Sequence, residues 1–464
     1  MTKNKLHPLY TAMYEKWLLG NHSFAGEKAI KENGVTYLPP TSGQVADGQG
    51  FAGKVGDKAY NAYKLRAIYP DIFKEAVEAA VGLMHKESPT IELPPELESM
   101  RDNATLLGES LEMVLRKIHA RQLITGRLGL MGDIRTDDGK VRPIVVMYHE
   151  SSILNWDDTS LVDDDVDVRM VMLDESAYTM ASDFTWKYVK QYRLLTLCDE
   201  EGRYCPAGKT YGVAEISDDD EIAGAVFDKP NLAGRTAPTI PFVFVNAADL
   251  SLTPDEPPLD GLARLCLAIY RGEADYRQNL FMQGQDTLVR VGVIGESEPV
   301  RTGAGACIDV PLNGDAKYIG VSSNGLPEQR QALAADYARA YQKSGQLMDA
   351  TSRVKESGDA LRIRVAAQTA TLPQIAKTGA AGLERVLKKL AVWYGADPDK
   401  VRITPNLRFS DADINGQTLV SLIQAKSLGA PLSEESIHEF LRTQGATKMS
   451  YEDELAKIET EQPY

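Results

Sequence analysis

The stretch Pro257-Pro258-Leu259-Asp260-Gly261-Leu262-Ala263-Arg264-Leu265-Cys266-Leu267-Ala268-Ile269-Tyr270 decides the reading of the whole chain. Two prolines and an acid suit the first turn of a helix. Proline there lacks only an N–H that would have no partner, and a carboxylate faces the positive end of the helix dipole. Leu259, Leu262, Cys266 and Ile269 then fall at helical spacing, with Leu265 and Tyr270 widening the stripe. The pattern turns polar through Gly272, Glu273, Ala274, Asp275, Tyr276, Arg277, Gln278 and Asn279, and ends on Leu280-Phe281-Met282. Uninterrupted, such a helix runs for roughly 25 residues, about 38 Å at 1.5 Å per residue. A second helix opens at Leu326-Pro327-Glu328 and carries Leu333, Tyr337 and Tyr341 at helical spacing. Between the two, residues 287–294, 306–312 and 316–322 read as strands divided by Gly-rich turns. Two rods joined through a small β knot suit a lever or a channel wall better than a catalytic pocket.

Upstream, residues 6–19 fit a short amphipathic helix. Residues 20–58 are rich in Gly, Lys and turn formers around Tyr37-Leu38-Pro39-Pro40-Thr41, and predict an extended arm that wraps a neighbour, or a plain surface loop. Helix is expected over 57–86 with a break at Pro70, and over 106–125 with Leu111, Leu115 and Ile118 on the buried side. Asp137-Asp138-Gly139-Lys140 marks the turn of a hairpin pairing 127–134 with 142–148. Residues 150–250 read as β, with strands at 166–173, 187–197, 209–216 and 240–245. The acidic turns at 163–165 and 218–221 lack the residue order of a calcium loop.

Downstream, 351–359 is polar without an apolar stripe. Residues 360–394 predict a long helix kinked by Pro373 and stopped by Gly395. A short strand at 401–409 and helices at 416–427, 433–443 and 451–461 follow, with Ser433 as a cap.

Composition narrows the function. With 464 residues and 43% hydrophobic content the chain is globular and long enough for more than one packed region. It holds no apolar run of about 18 residues, so no membrane span is expected. The basic start has no apolar core, so no secretory signal is expected. Its four cysteines make no disulfide framework; only Cys198 and Cys205 are near in sequence, and all four read as reduced thiols. A net charge of −15 argues against a tight grip on nucleic acid, but an acidic wall repels phosphate and leaves a passing DNA mobile. No phosphate-cradling GxxxxGK[ST] occurs; Gly26-Glu27-Lys28 comes nearest, and Glu27 spoils it. GxSxG, HExxH and CxxC are absent, and the six histidines are scattered. No catalytic, cofactor-binding or metal-ligating residue is nominated.

Several pieces carry a resemblance when taken in order: Tyr37-Leu38-Pro39-Pro40-Thr41; Tyr60 to Ala67 with a helix ending at Val81-Gly82-Leu83; Leu123 to Gly132; and Ile153-Leu154-Asn155-Trp156. Ile240-Pro241-Phe242-Val243-Phe244, Pro257-Pro258-Leu259-Asp260 with Ala268-Ile269-Tyr270-Arg271-Gly272-Glu273-Ala274-Asp275, and the run from Glu452 to Glu459 complete them. Together they resemble tailed-bacteriophage portal proteins, of the branch that shares a portal-like domain not otherwise characterised. The resemblance implies an α+β fold, the phage portal fold, with β-rich wing, two-helix stem, small α/β clip, long kinked wing helix and short α-helical crown. By segment, 1–257 corresponds to the wing, 258–283 and 326–349 to the stem helices, and 284–325 to the clip. Residues 350–359 correspond to the tunnel loop, 360–427 to the wing helix and its return, and 428–464 to the crown.

The resemblance further implies a homo-oligomeric ring, usually twelve-fold, at one capsid vertex of the virion, assembled in the bacterial host cytoplasm. A separate terminase packs DNA through it, and the genome later leaves by it. The implied partners are the terminase large subunit, a head–tail adaptor or tail proteins, capsid and scaffold proteins, and double-stranded DNA in transient contact. No cofactor and no membrane are implied. Arg353 and Lys355, in the tunnel-loop segment, are candidates for touching phosphates, and Glu273, Asp275, Arg277 and Gln278 for lining the bore. Ordinary solvated charges are the alternative reading of each. Two other classes are weighed against a portal: an enzyme fused to a scaffold, and a different structural virion protein such as a coat or head–tail adaptor.

Overall fold

Glycine and proline punctuate the amino-terminal region as helix stops and starts. The computed structural model describes residues 6–137, 140–157, 167–205, 208–216, 226–283, 287–291, 315–319, 325–344, 371–407, 424, 426, 433–443, 447 and 449–461. Helix α1 (Pro8–Ala25) has Pro8 in its first turn, and the His7 ring accepts the Leu9 N–H at 3.2 Å. Gly26, at φ 88°, ends α1 and leads straight into α2 (Glu27–Glu32). A capping box between Thr41 and Gln44 starts α3 (Ser42–Ala46). The extended arm expected over 20–58 is therefore a chain of short helices. Its Gly-rich composition marks helix ends, and Ile30, Tyr37 and Leu38 are buried anchors. α4 (Val55–Arg66) and α5 (Ile72–Met84) flank the break expected at Pro70. β1 (Thr90–Glu92) follows.

α6 (Leu111–Thr125) starts later than expected. Thr105 Oγ accepts the N–H groups of Leu107 and Glu109 at 3.3 and 3.2 Å, which holds a turn, and Ser110 caps the helix instead. The predicted hairpin is present as β2 (Arg127–Asp137) and β3 (Lys140–His149), in register Asp137↔Lys140 through Leu128↔His149.

β4 (Ile153–Trp156) pairs with β5 (Met170–Asp174). The run expected at 187–197 is two strands. A four-residue hairpin, β6 (Ala177–Met180) with β7 (Trp186–Val189), stands ahead of β8 (Tyr192–Cys198). β9 (Thr210–Ile216) completes a four-stranded antiparallel sheet in the order β4-β5-β8-β9. β10 (Asn231–Leu232) and β11 (Arg235–Thr236) pair together, and β12 (Phe242–Asn246) joins the hairpin in the order β12-β2-β3.

α7 (Asp260–Gln283) leads to β13 (Thr287–Val291), which pairs antiparallel with β14 (Asp315–Ile319), and α8 (Leu326–Lys343) follows. The strand expected at 306–312 lies outside the described residues, as do 345–349 of the expected second rod.

α9 (Leu372–Tyr394) carries Pro373 in its opening turn, and the kink expected there turns on residues before it. Residues 360–370 of the expected long helix lie outside the description. Gly395, at φ 84°, stops α9 in the left-handed region. α9 lies on the β12-β2-β3 sheet and closes the main core. Leu383, Val386, Leu387, Leu390 and Trp393 are buried there with Leu130 and Phe242. Close approach explains two glycines: a Cβ on Gly132 would lie 2.7 Å from Leu390, and one on Gly382 would lie 2.4 Å from Val245. β15 (Arg402–Thr404) pairs back with β1.

The chain divides into two units, 1–407 and 408–464. In the second, α10 (Glu434–Thr443) is capped by Ser433, whose Oγ accepts the Ser436 N–H at 3.0 Å. α11 (Tyr451–Glu461) is capped in the same way by Ser450, at 3.1 Å from the Asp453 N–H. The rings of His438 and Tyr451 meet edge to face, 5.4 Å between centroids. The helix expected at 416–427 lies outside the described residues apart from Gln424 and Lys426.

Candidate functional site: a helix pair and an uncovered hairpin

The link into α7 is held by a buried polar knot. Arg127, at the start of β2, lies between Trp156 and Phe244, its guanidinium 4.7 and 4.0 Å from the ring centroids. It donates to Asn246 Oδ1 at 3.2 Å and to the Leu252 carbonyl at 2.9 Å. Asn246 Nδ2 in turn donates to the Thr253 carbonyl at 2.9 Å. Lys16 of α1 pairs with Glu256 at 2.7 Å. Gly126, at φ 73°, lets the chain pass 3.1 Å from Pro257 where a Cβ would stand. The direction in which α7 leaves the core is thus set by the residues just before it.

The first half of α7 is core. Leu262, Cys266, Ile269 and Tyr270 are buried, as the stripe predicts, and burial pushes the Cys266 thiol up to about 12. Tyr270 meets Tyr69 edge to face at 6.1 Å. The second half is held between α4 and α8. α7 and α8 run antiparallel: Gly272 opposes Leu333, Glu273 opposes Tyr337 and Asn279 opposes Gln329. A Cβ on Gly272 would fall 2.9 Å from Leu333, so glycine sets the closeness of this seam.

The four bore candidates split between two faces of α7. Glu273 is only 8% exposed. Its carboxylate accepts from Arg277 Nε at 2.6 Å and from the Tyr337 hydroxyl at 3.2 Å. Burial first, and the Glu273 charge second, push the Tyr337 phenol up to about 12. On the other side, Asp275 accepts from the Tyr63 hydroxyl at 2.5 Å, and Gln278 accepts from Arg66. Burial, and then the hydrogen bond to Asp275, raise the Tyr63 phenol well above its ordinary value. Arg66 also lies over the Phe281 ring at 4.1 Å. Glu273 and Arg277 thus serve the α8 seam, and Asp275 and Gln278 serve the α4 contact. Arg353 and Lys355 lie outside the described residues.

Sequence reading missed Tyr63 and Arg66 as partners of α7. Their distance of 212 residues from Asp275 and Gln278 leaves no local signal. It also missed the β6–β7 hairpin. Its register pairs Tyr178 with Tyr188 and Met180 with Trp186, which puts all four on one face. That face is bare: Tyr178 is 67% exposed and Trp186 66%, and Phe184 at the turn is 80% exposed. Alternation of aromatic and polar residues over 177–189 was the available signal.

Among the described residues, three surfaces around the helix pair and the hairpin stand uncovered. One is the hairpin face. A second is the outer side of α8, which buries only Leu333 and Ala340. The third is Leu280-Phe281-Met282 at the end of α7, all exposed. A cavity of about 750 Å³ between α2 and α4 is lined by Lys28, Lys31, Lys64, Glu27 and Glu32 among others, and the Lys31–Glu27 ion pair at 2.7 Å neutralises part of it. Among the described residues no group of three His, Cys, Asp or Glu is placed to hold a metal, and no helix is long and apolar enough to cross a membrane.

A family described as "Domain of unknown function (DUF4055)" matches residues 258–394, from α7 to the end of α9. No curated protein matches the chain. Among solved structures the chain is similar to a chain in the neck of an empty GTA particle computed with C6 symmetry. The two share 14% identity over 81% of this chain and 90% of that one, with a TM-score of 0.37. It is also similar to a chain in the virion of a native gene transfer agent (GTA) particle, with 14% identity over 87% and 98% and a TM-score of 0.35. A chain in the neck of a native GTA particle computed with C12 symmetry shares 11% identity over 80% and 89%, with a TM-score of 0.34.

Proposed function

We propose that the chain is a portal protein: many copies form a ring at one capsid vertex, and the viral genome is packed and later ejected through its centre. The observation that carries this reading is the α7–β13–β14–α8 unit. One helix is rooted in the core, and its antiparallel partner is left bare over most of its surface. A helix pair that a single copy leaves uncovered is what neighbouring copies would share. Closing a ring requires head-to-tail contacts, so each copy must present two different faces. The outer side of α8 and the aromatic face of β6–β7 supply two.

In this arrangement residues 284–325 meet the terminase large subunit during packing and a head–tail adaptor or tail protein afterwards. Residues 350–359, with Arg353 and Lys355, reach passing DNA. Of the α7 candidates, Asp275 keeps the most surface for such contact, whereas Glu273 is buried at the seam with Arg277 bonded to it. The acidic chain, at −15, keeps the contact loose.

The test is sedimentation and native mass measurement of the purified full chain beside Ala334→Glu/Ala338→Glu, on the exposed side of α8, and Trp186→Ser/Tyr188→Ser, on the hairpin. We expect a ring from the wild type. Each variant should give mostly folded single subunits, because neither pair is buried in one copy. A wild type that stays a single subunit at assembly concentrations contradicts the portal reading.

A further inference from the structure

His85, half-buried, and His119, buried, form a pair that the portal reading does not use. His85 is the carboxy-terminal cap of α5, and its own N–H bonds the Val81 carbonyl. His119 sits inside α6 and is 1% exposed. His85 Nε2 and His119 Nδ1 are 2.9 Å apart. The other His119 nitrogen faces α9, where a Cβ on Gly379 would lie 2.7 Å from it and 2.7 Å from Gln122 Oε1. Gln122 Oε1 has no hydrogen-bond partner there, and the His119 ring is turned toward the Ala376 carbonyl. Gln122 Nε2 continues the line by donating to the Asn246 carbonyl at 2.7 Å. The pair thus stands where α5, α6 and α9 meet, with no space for the rings to move apart on the α9 side.

Two facing imidazole nitrogens hold one proton between them, one as donor and the other as acceptor. We propose that His85–His119 is an acid-sensitive latch on α5: the pair admits one proton beyond its neutral state but not two, so acid that would charge both rings frees α5 from α6 and α9. The first added proton goes to the outer nitrogen of His85 and leaves the bond intact. A second puts two N–H groups head to head and two like charges in contact.

The surrounding charges do not rescue the doubly charged pair. From α6, Glu112 favours a proton on His85 and Arg116 opposes it, and burial opposes it most. The end of the α5 dipole also favours charge on His85. What α9 presents is backbone, namely Gly379 and the Ala376 carbonyl; that carbonyl favours the charged ring, but burial outweighs it and, with His85, holds the His119 ring down to about 3. The unfolded chain takes up both protons below about pH 6.5, its ordinary value. The folded value is lower, so this stability is complete above that pH and is lost as pH falls. The loss is about tenfold in the local closing equilibrium per pH unit for each histidine kept neutral. α5 also carries Phe73 against Cys266 of α7, so the freed element borders the helix pair.

The latch concerns one subunit and stands whether or not copies form a ring. The test uses the full wild-type chain, with histidine C2-hydrogen exchange and amide exchange both read by mass spectrometry. We expect His119 to show a half-point below about pH 5, far under the ordinary histidine value of about 6.5. After correction for intrinsic pH dependence, amides of 72–84 should lose at least about tenfold in protection between pH 7.5 and 5. In His119→Gln, where an amide oxygen can still accept from His85 without titrating, most of that loss should vanish. A His119 half-point near 6.5, flat protection of 72–84 in the wild type, or an equal loss in His119→Gln would each overturn the latch. Should His119→Gln not fold, the two wild-type measurements decide alone.

Discussion

α8 and α9 are both single helices, of 18 and 23 residues, and they are buried in opposite measure. α9 buries thirteen of its residues against the three-stranded sheet and its neighbours, whereas α8 buries two. The contrast is written in their sequences. α9 repeats Leu383, Val386, Leu387, Leu390 and Trp393 along one side. α8 offers Leu333 and Ala340 inward, with Ala332, Ala334, Ala335 and Ala338 among charges outside. Alanine, glutamate and arginine favour helix without needing a core, so α8 forms with most of its surface unspent. One helix spends its side chains on the core, and the other keeps an open outer side, which the proposed ring would cover.

The largest effect that can break this comparison is Leu390→Ala. Leu390 fills the space over Gly132, and its truncation should cost about 2–5 kcal/mol in urea unfolding. Ala338→Glu, scored on the same single-subunit curves, should stay within about 0.5 kcal/mol. Equal effects at the two sites would erase the distinction between a core helix and an assembly helix.

Glu273→Ala probes the seam between α7 and α8. It leaves the Tyr337 hydroxyl and Arg277 without their shared acceptor, and should cost about 1–3 kcal/mol by the same unfolding measurement. A negligible change would mean that α8 is held by its other contacts, Leu333 and Ala340 foremost. A smaller, pH-dependent effect sits at Tyr337. Its folded value is raised to about 12, so its contribution is complete below the ordinary phenol value and fades as pH rises through about 12. An ultraviolet difference titration of wild type against Tyr337→Phe should isolate one phenol ionising near that pH, and a step near 10 would place the ring in water.

The smallest effect on folding is expected from Arg353→Glu with Lys355→Glu. Rings should persist with unaltered unfolding midpoints, while DNA packaging or retention changes. Unaltered packaging would remove residues 350–359 from any role at the channel.

How much of this was legible depends on whether partners are near in sequence. The Leu262–Cys266–Ile269 stripe, the Pro70 break and the hairpin at Asp137–Lys140 follow local rules, and all are present. The amino-terminal arm misled because Gly26 and the Thr41 box stop and start helices, whereas composition alone reads them as loop. Tyr341 fits the α8 stripe by spacing yet is exposed, since the seam turns toward Ala340. The bore candidates shared one polar run, but at 100° per residue Glu273 and Asp275 point to different neighbours. That α4 would be one of those neighbours depended on a contact across 212 residues. The β6–β7 hairpin was hidden by its shortness, four residues a strand, and by its run into β8 through Lys190 and Gln191.

Electron microscopy of the purified full-length chain tests the central claim most directly. Closed rings with an axial opening wide enough for double-stranded DNA, the helix pair repeating around it, are the predicted result. A field of separate 50.9 kDa subunits, or assemblies with no central opening, would contradict it.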